Sequence, residues 1–154
     1  MSADTLNLKE VVFICREVEL QGRGPHEVGC MASAWLFAKH THTGLYSTPE
    51  TVEQFIQTLG WLIEPTTNFK EHWRKGNVRI GYAPIQPPTP IQVPRLMQLY
   101  SEGFAKLSAE EAYLGFEQIH PLSDGNGRVG AILYNFKLGI LEDPQMPPGY
   151  PGVK

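Results

Sequence analysis

An imidazole, a carboxylate and a guanidinium share one short stretch with a flexible, amide-rich turn: Ile119-His120-Pro121-Leu122-Ser123-Asp124-Gly125-Asn126-Gly127-Arg128. His120 is a group that accepts a proton near neutral pH. Asp124 offers the oxygen ligands that hard divalent cations take when they are shared with phosphates. Gly125 and Gly127 let the backbone curl without a Cβ penalty, which suits a nest of N–H donors. Val129 to Leu141 reads as a helix, so the turn sits at a helix N-terminus, where unpaired amides and the dipole favour an anion. Arg128 adds a permanent fork of donors. A base, a metal ligand and an anion cradle together point to phosphoryl or nucleotidyl transfer.

Two other structures could carry such a stretch. Asn-Gly commonly marks a hairpin turn, but the flanks carry helical spacing rather than strand alternation. Helix, Asp-Gly-Asn-Gly and helix also suggest a calcium loop. That pattern needs oxygen at its fifth position, glycine at the sixth and glutamate at the twelfth, where this chain has Arg128, Val129 and Asn135. The calcium reading fails.

The elements that must hold this loop follow from apolar spacing and capping. Ser108-Ala109-Glu110-Glu111 is a capping box that opens a helix burying Ala112, Phe116 and Ile119; Pro121 stops it and holds His120 at its exit. After the loop, Val129, Ile132, Leu133, Phe136 and Ile140 form the buried face of the next helix. Upstream, Asn7 to Glu10 is another capping box, followed by an expected stripe of Leu8, Val11, Val12, Cys15 and Val18 that ends at Gly22-Arg23-Gly24-Pro25. Val11 to Ile14 also fits a short strand; helix is the favoured reading. A helix from His26 to about Lys39 buries Val28, Met31, Ala32, Trp35 and Leu36. Thr48-Pro49-Glu50 opens another, burying Val52, Phe55, Ile56, Leu59 and Ile63, and Pro65 closes it. Val93-Pro94 starts a helix with Leu96, Met97, Tyr100, Phe104 and Leu107 inward. Between these lie Gly76-Asn77, flanked by short alternating stretches from Trp73 to Tyr82 that read as a hairpin, and an extended connector with Pro84, Pro87, Pro88 and Pro90. The expected architecture is all-α, a bundle of about six or seven helices with one small β-hairpin.

The chain has 154 residues and a formal net charge of −3, which suits one domain over 1–154 and gives no footprint for nucleic acid. The core is expected over about 48–141, with an irregular proline- and glycine-rich tail at 143–154. Arg74, Lys75 and Arg79 read as a solvated loop, and Cys15 and Cys30 as reduced core residues. His26, His40 and His42 lack the companion ligands of a zinc site. Met1-Ser2-Ala3-Asp4 has no basic region followed by an apolar stretch, and no apolar run spans a bilayer, so a cytoplasmic, membrane-free protein is expected.

The loop resembles the signature of the Fic family: histidine-proline-phenylalanine, two residues, glycine-asparagine-glycine-arginine, two residues, arginine. His120, Pro121, the acidic Asp124, Gly125, Asn126, Gly127 and Arg128 match, and the likeness extends over roughly the C-terminal two-thirds of the chain. Family members mostly move AMP from ATP to a hydroxyl side chain of a target protein, with magnesium. The resemblance implies a Fic-like bundle in which His120 deprotonates a Ser, Thr or Tyr hydroxyl of the target and Asp124 holds Mg²⁺. It implies that Gly125, Asn126, Gly127 and Arg128 grip the phosphates. It also makes the 73–82 hairpin a flap that docks the target by main-chain pairing along Val78, Arg79 and Ile80, beside the plainer reading of a surface hairpin.

Two positions depart from the pattern. Leu122 replaces the aromatic after the proline and still suits an apolar anchor; Ala131 replaces the closing arginine. Losing a charge-assisted polyphosphate contact costs roughly 1.5–3 kcal/mol, about one or two decades in binding. Lys137, the next cation along the helix, lies almost two turns further on. The alternative function is therefore a Fic-fold module with little catalysis that binds phosphate or a protein. The family's self-inhibitory pattern is also incomplete, since Thr67 to Glu71 is followed by His72 rather than glycine or asparagine. An active enzyme without that brake implies either a separate, antitoxin-like inhibitor protein or an intrinsically weak site.

Overall fold

The computed structural model describes residues 5–41, 45–46, 48–80 and 85–148. The described residues form six α-helices in the order α1 (Leu8–Leu20), α2 (Pro25–His40), α3 (Pro49–Ile63), α4 (Val93–Gly103), α5 (Ala109–Ile119) and α6 (Asn126–Leu138). A 3₁₀ turn, Phe104–Lys106, follows α4. Among the described residues no helix is long and apolar enough to cross a membrane.

Local chemistry starts the helices as the sequence suggests. Asn7 and Glu10 exchange reciprocal bonds at α1, and Ser108 and Glu111 do the same at α5. The Thr48 hydroxyl accepts the Thr51 N–H at α3, with Pro49 following it. The expected face of α3 is buried throughout: Val52, Phe55, Ile56, Leu59 and Ile63. So are Val129, Ile132 and Leu133 of α6 and Ala112 and Phe116 of α5. Helices α5 and α6 pack against each other and α2 against α3, while α3 also meets α6, so the loop between α5 and α6 is gripped by three helices.

Helix α1 presents a different face from the one its apolar residues suggested. Leu8, Val11, Val12 and Cys15 are exposed, and Glu10, Phe13, Ile14, Glu17 and Val18 are buried. The reason is polar pairing. The Glu10 carboxylate accepts from Trp35 Nε1 at 2.8 Å, from Lys39 Nζ at 3.1 Å and from the Asn7 backbone N–H. A carboxylate satisfied in this way tolerates burial, and it draws Phe13 and Ile14 inward with it. Cys15 and Cys30 are free thiols, exposed and partly buried respectively, not core residues.

The expected hairpin also differs. Residues 73–80 contain no strand; Gly81, Tyr82 and Pro84 lie outside the described residues, as do Met1 to Asp4, His42 and the tail from 149. Arg74 is the cause. Rather than lying in solvent beside the exposed Lys75 and Arg79, it is buried and spends its donors on backbone carbonyls. Nε donates to His120 O at 2.6 Å and Nη1 to Gly76 O at 2.9 Å, and Nη2 reaches Pro88 O. Its own N–H donates to Pro121 O at 2.9 Å. This one side chain ties the 73–80 segment and the proline connector to the exit of α5.

Burial pushes the Glu17 carboxyl up to about 7, against the opposing pull of the Arg16 charge. Its folded pKa thus lies above the unfolded value, so stability is full below the ordinary carboxyl range and is lost as pH rises through about 7. Urea unfolding of Glu17→Gln, which stays neutral, is expected to show a gain on the order of 2–3 kcal/mol near pH 8 and almost none near pH 4.

Candidate active site

His120 caps α5 in the left-handed conformation, at φ 52° and ψ 59°, with its N–H bonded back to Phe116 O at 2.9 Å. A non-glycine residue seldom adopts that backbone, and it turns the chain sharply away from the helix axis. The imidazole is mostly buried, with Nδ1 at 3.1 Å from Glu117 O and 3.8 Å from Glu117 Oε2. A carbonyl can only accept, so Nδ1 carries the proton and Nε2 of the neutral ring keeps its lone pair. Burial lowers the His120 pKa; the bond to Glu117 O opposes this and the Arg74 charge adds to it.

From Pro121 the loop turns inward. Leu122 is buried against Gly60 of α3, so closely that a Cβ on Gly60 would lie 2.7 Å from Leu122 Cδ2. Asn126 then closes the loop: its Oδ1 accepts the Leu122 N–H and its Nδ2 donates to Leu122 O, both at 2.9 Å. Asn68, after α3, braces the outer side by accepting the Asp124 N–H and donating to Asp124 O. Gly125 has φ 80°, and a Cβ there would strike Ile63 Cγ2 at 2.6 Å, so only glycine makes this turn. Helix α6 begins immediately, with Val129 N–H bonded to Gly125 O. The amides of Asn126, Gly127 and Arg128 therefore have no carbonyl partner within the helix.

The charged groups form one alternating series. Arg128 is buried and donates through Nη2 to Glu64 Oε2 at 2.9 Å, with Asp124 Oδ1 at 3.7 Å. Its Nε and Nη1 are buried with no hydrogen-bond partner among the described residues. Asp124 accepts the Gly125 N–H on Oδ1 and the Arg23 guanidinium on Oδ2. A pocket of about 300 Å³ opens on this arrangement, lined by His120, Ser123, Asp124, Gly125, Asn126 and Gly127, with Gln21, Val78 and Arg79 at its rim. Among the described residues no three His, Cys, Asp or Glu side chains gather as a metal cage. One carboxylate at a phosphate-sized pocket is nevertheless the protein share that Mg²⁺ commonly takes, the rest being phosphate and water.

The Fic/DOC family profile matches residues 49–138, which covers α3 to the end of α6 and thus the whole of this loop. The chain belongs to the Fic/DOC family. A probable protein adenylyltransferase of Aquifex aeolicus (strain VF5) is 35% identical over 100 residues, 58% of this chain and 31% of the relative. The crystal structure of a Fic family protein from Desulfovibrio desulfuricans G20 superposes with a TM-score of 0.62 at 19% identity, over 91% of this chain and 46% of that one. The chain thus spans less than half the length of either.

In this Fic loop the motif residues sort into two groups. His120, Asp124, Gly125 and Gly127 face the pocket, while the side chains of Leu122, Asn126 and Arg128 hold the loop from behind. Ala131, where the family places its closing arginine, is wholly buried in the core. Lys137 is committed elsewhere, donating to Phe104 O at 2.7 Å. Val78 and Arg79 stand at the pocket rim without strand geometry, and the Ile80 N–H is held by Gln86 Oε1 at 3.0 Å. Arg74, expected in a solvated loop, is instead a buried brace of the site. Glu64, Gln21 and Arg23 are further neighbours without a spacing signal, because they reach the loop through the fold, and Glu117 lies one helical turn before His120.

The depressed His120 pKa is directly measurable. The ring protons of His120, followed by NMR, are expected to titrate below the ordinary imidazole range, so that the neutral ring persists into mildly acidic solution. A midpoint at or above that range would show that the ring is not desolvated as the geometry implies.

Proposed function

We propose that this chain is a Fic-type nucleotidyltransferase that moves AMP, or a related nucleotide or phosphate moiety, from a nucleoside triphosphate to a hydroxyl side chain of a target protein. What supports the reading best is the shared pocket: an imidazole with its Nε2 lone pair uncommitted beside the first amides of α6. His120 would take the hydroxyl proton as the oxygen attacks the α-phosphorus; the bond to the β-phosphate breaks and pyrophosphate leaves. The amides of Asn126, Gly127 and Arg128, which have no carbonyl partner within α6, would donate to phosphate oxygens, and the Gly125 N–H would join them once Asp124 Oδ1 turns to a metal; the buried Arg128 guanidinium would add its charge from behind the loop. Asp124 would hold Mg²⁺, which when bound neutralises phosphate charge. Val78, Arg79 and Ile80 at the rim would meet the target. An inhibitor protein acting in trans belongs to the same reading, as does a single Fic-like unit spanning the whole chain.

One observation favours a second reading. The charges of Asp124 and Arg128 are already balanced by Arg23 and Glu64, and Ala131 supplies none. A site closed on itself in this way suits a binding module with little catalysis.

Incubation with labelled ATP and a cell lysate separates the two. His120→Asn is the informative variant, because asparagine tolerates the left-handed backbone at this position. It is expected to abolish target labelling with an unchanged unfolding curve; labelling equal to that of the native chain would remove His120 from the mechanism. Calorimetry with Mg²⁺ and each of ATP, GTP, UTP and CTP is expected to give saturable binding to at least one, and binding to none would favour the interaction module.

A further inference from the structure

Arg23 lies outside the family-matched segment, on the turn joining α1 to α2, yet it reaches the centre of the site. Its backbone is fixed. The Gly22 N–H bonds to Glu19 O and the Arg23 N–H to Val18 O, with Gly22 at φ 71°, the bonding pattern that ends a helix on a left-handed glycine. The next residue is fixed too, because the Gly24 N–H donates to Glu27 Oε1 at 2.9 Å. From this rigid base the guanidinium extends to Asp124 Oδ2 while staying 39% exposed, so it is placed but not buried. Gln21 of the same turn sits over the start of α6, where a Cβ on Gly127 would lie 2.7 Å from its Nε2. The α1–α2 turn is therefore a roof over the anion cradle.

A triphosphate would bring several negative charges into a pocket lined by one guanidinium, that of the exposed Arg79, while Arg128 lies behind the loop, paired with Glu64 and Asp124. Lys137, the other cation of α6, is bonded to Phe104 O. Arg23 carries a full charge, and it occupies a carboxylate oxygen that a divalent cation bound by Asp124 would take. We propose that Arg23 is a phosphate ligand of this site, exchanging Asp124 for a phosphate oxygen when the metal–nucleotide complex enters. The proposal rests on the nucleotidyltransferase reading. Asp124 would turn its carboxylate to the metal, the released Arg23 guanidinium would meet the incoming anion, and no charge would be left unpaired at either step.

The exchange gives Arg23 opposite effects on two ligands, which a merely structural residue would not have. Calorimetry is run on the native chain, Arg23→Ala and Arg23→Lys, with Mg²⁺ alone, with Mg²⁺ and ATP, and with Mg²⁺ and tripolyphosphate as a probe without a base. Arg23→Ala is expected to bind Mg²⁺ alone more tightly, its competitor being gone, and to bind both polyphosphates about tenfold or more weakly. Arg23→Lys is expected to fall between, and thermal unfolding of both variants to match the native chain. Polyphosphate binding by Arg23→Ala as tight as that of the native chain overturns this proposal and leaves the nucleotidyltransferase reading standing. Affinities for metal and polyphosphate that fall together also overturn it. A native chain that binds neither ATP nor tripolyphosphate overturns both.

Discussion

The site depends on one side-chain amide. Asn126 receives the Leu122 N–H and returns a bond to Leu122 O, which closes the loop into a ring at the start of α6. Both partners are buried, so leaving either backbone group unpaired would cost on the order of 1–3 kcal/mol. The ring sets the direction of everything around it. It drives Leu122 into the core against α3 and leaves His120 on the far side, where α5 ends. Arg74 completes the support from outside by holding the carbonyl of His120 and, through its own N–H, that of Pro121. The base is thus positioned by two polar braces and one apolar anchor, not by its own contacts alone.

Behind this frame runs the series Glu64, Arg128, Asp124, Arg23, alternating in sign. Its inner half is buried and its outer half is open to water. Electrostatics are strongest where water is excluded, so the Glu64–Arg128 pair acts as a fixed part of the scaffold, while the Asp124–Arg23 pair is the part that can exchange partners. An anion entering the pocket meets a site whose charges are balanced in its absence and are redistributed by its arrival.

Much of the fold was legible in the sequence because it is governed by neighbours. Capping boxes at Asn7 and Ser108, the hydroxyl–proline start at Thr48 and the faces of α3, α5 and α6 all follow from residues three or four apart. The α1 face is not set by apolar spacing, because Glu10 lies inside, met there by Trp35 and Lys39 from a different helix. Gly76-Asn77 carries a turn signal, yet residues 73–80 form no strand, and Arg74 binds Gly76 O and Pro88 O through contacts that local spacing does not reveal. At the site, the types and order of His120, Asp124, Gly125, Asn126, Gly127 and Arg128 were plain. Which of them face outward was not, since that division is made by Glu64, Asn68 and Gln21, far away in the chain.

In the nucleotide-bound protein the backbone at the start of α6 and the His120 ring would form the binding front, while the Asn126 ring behind them stays closed. Amide NMR with Mg²⁺ and a non-hydrolysable ATP analogue tests this most directly. The largest shifts are expected at the N–H groups of Gly125, Asn126 and Gly127 and at the His120 ring, with the Asn126 side-chain amide and the Leu122 N–H unmoved. Shifts concentrated away from these groups, or a spectrum unchanged at saturating analogue, would contradict it.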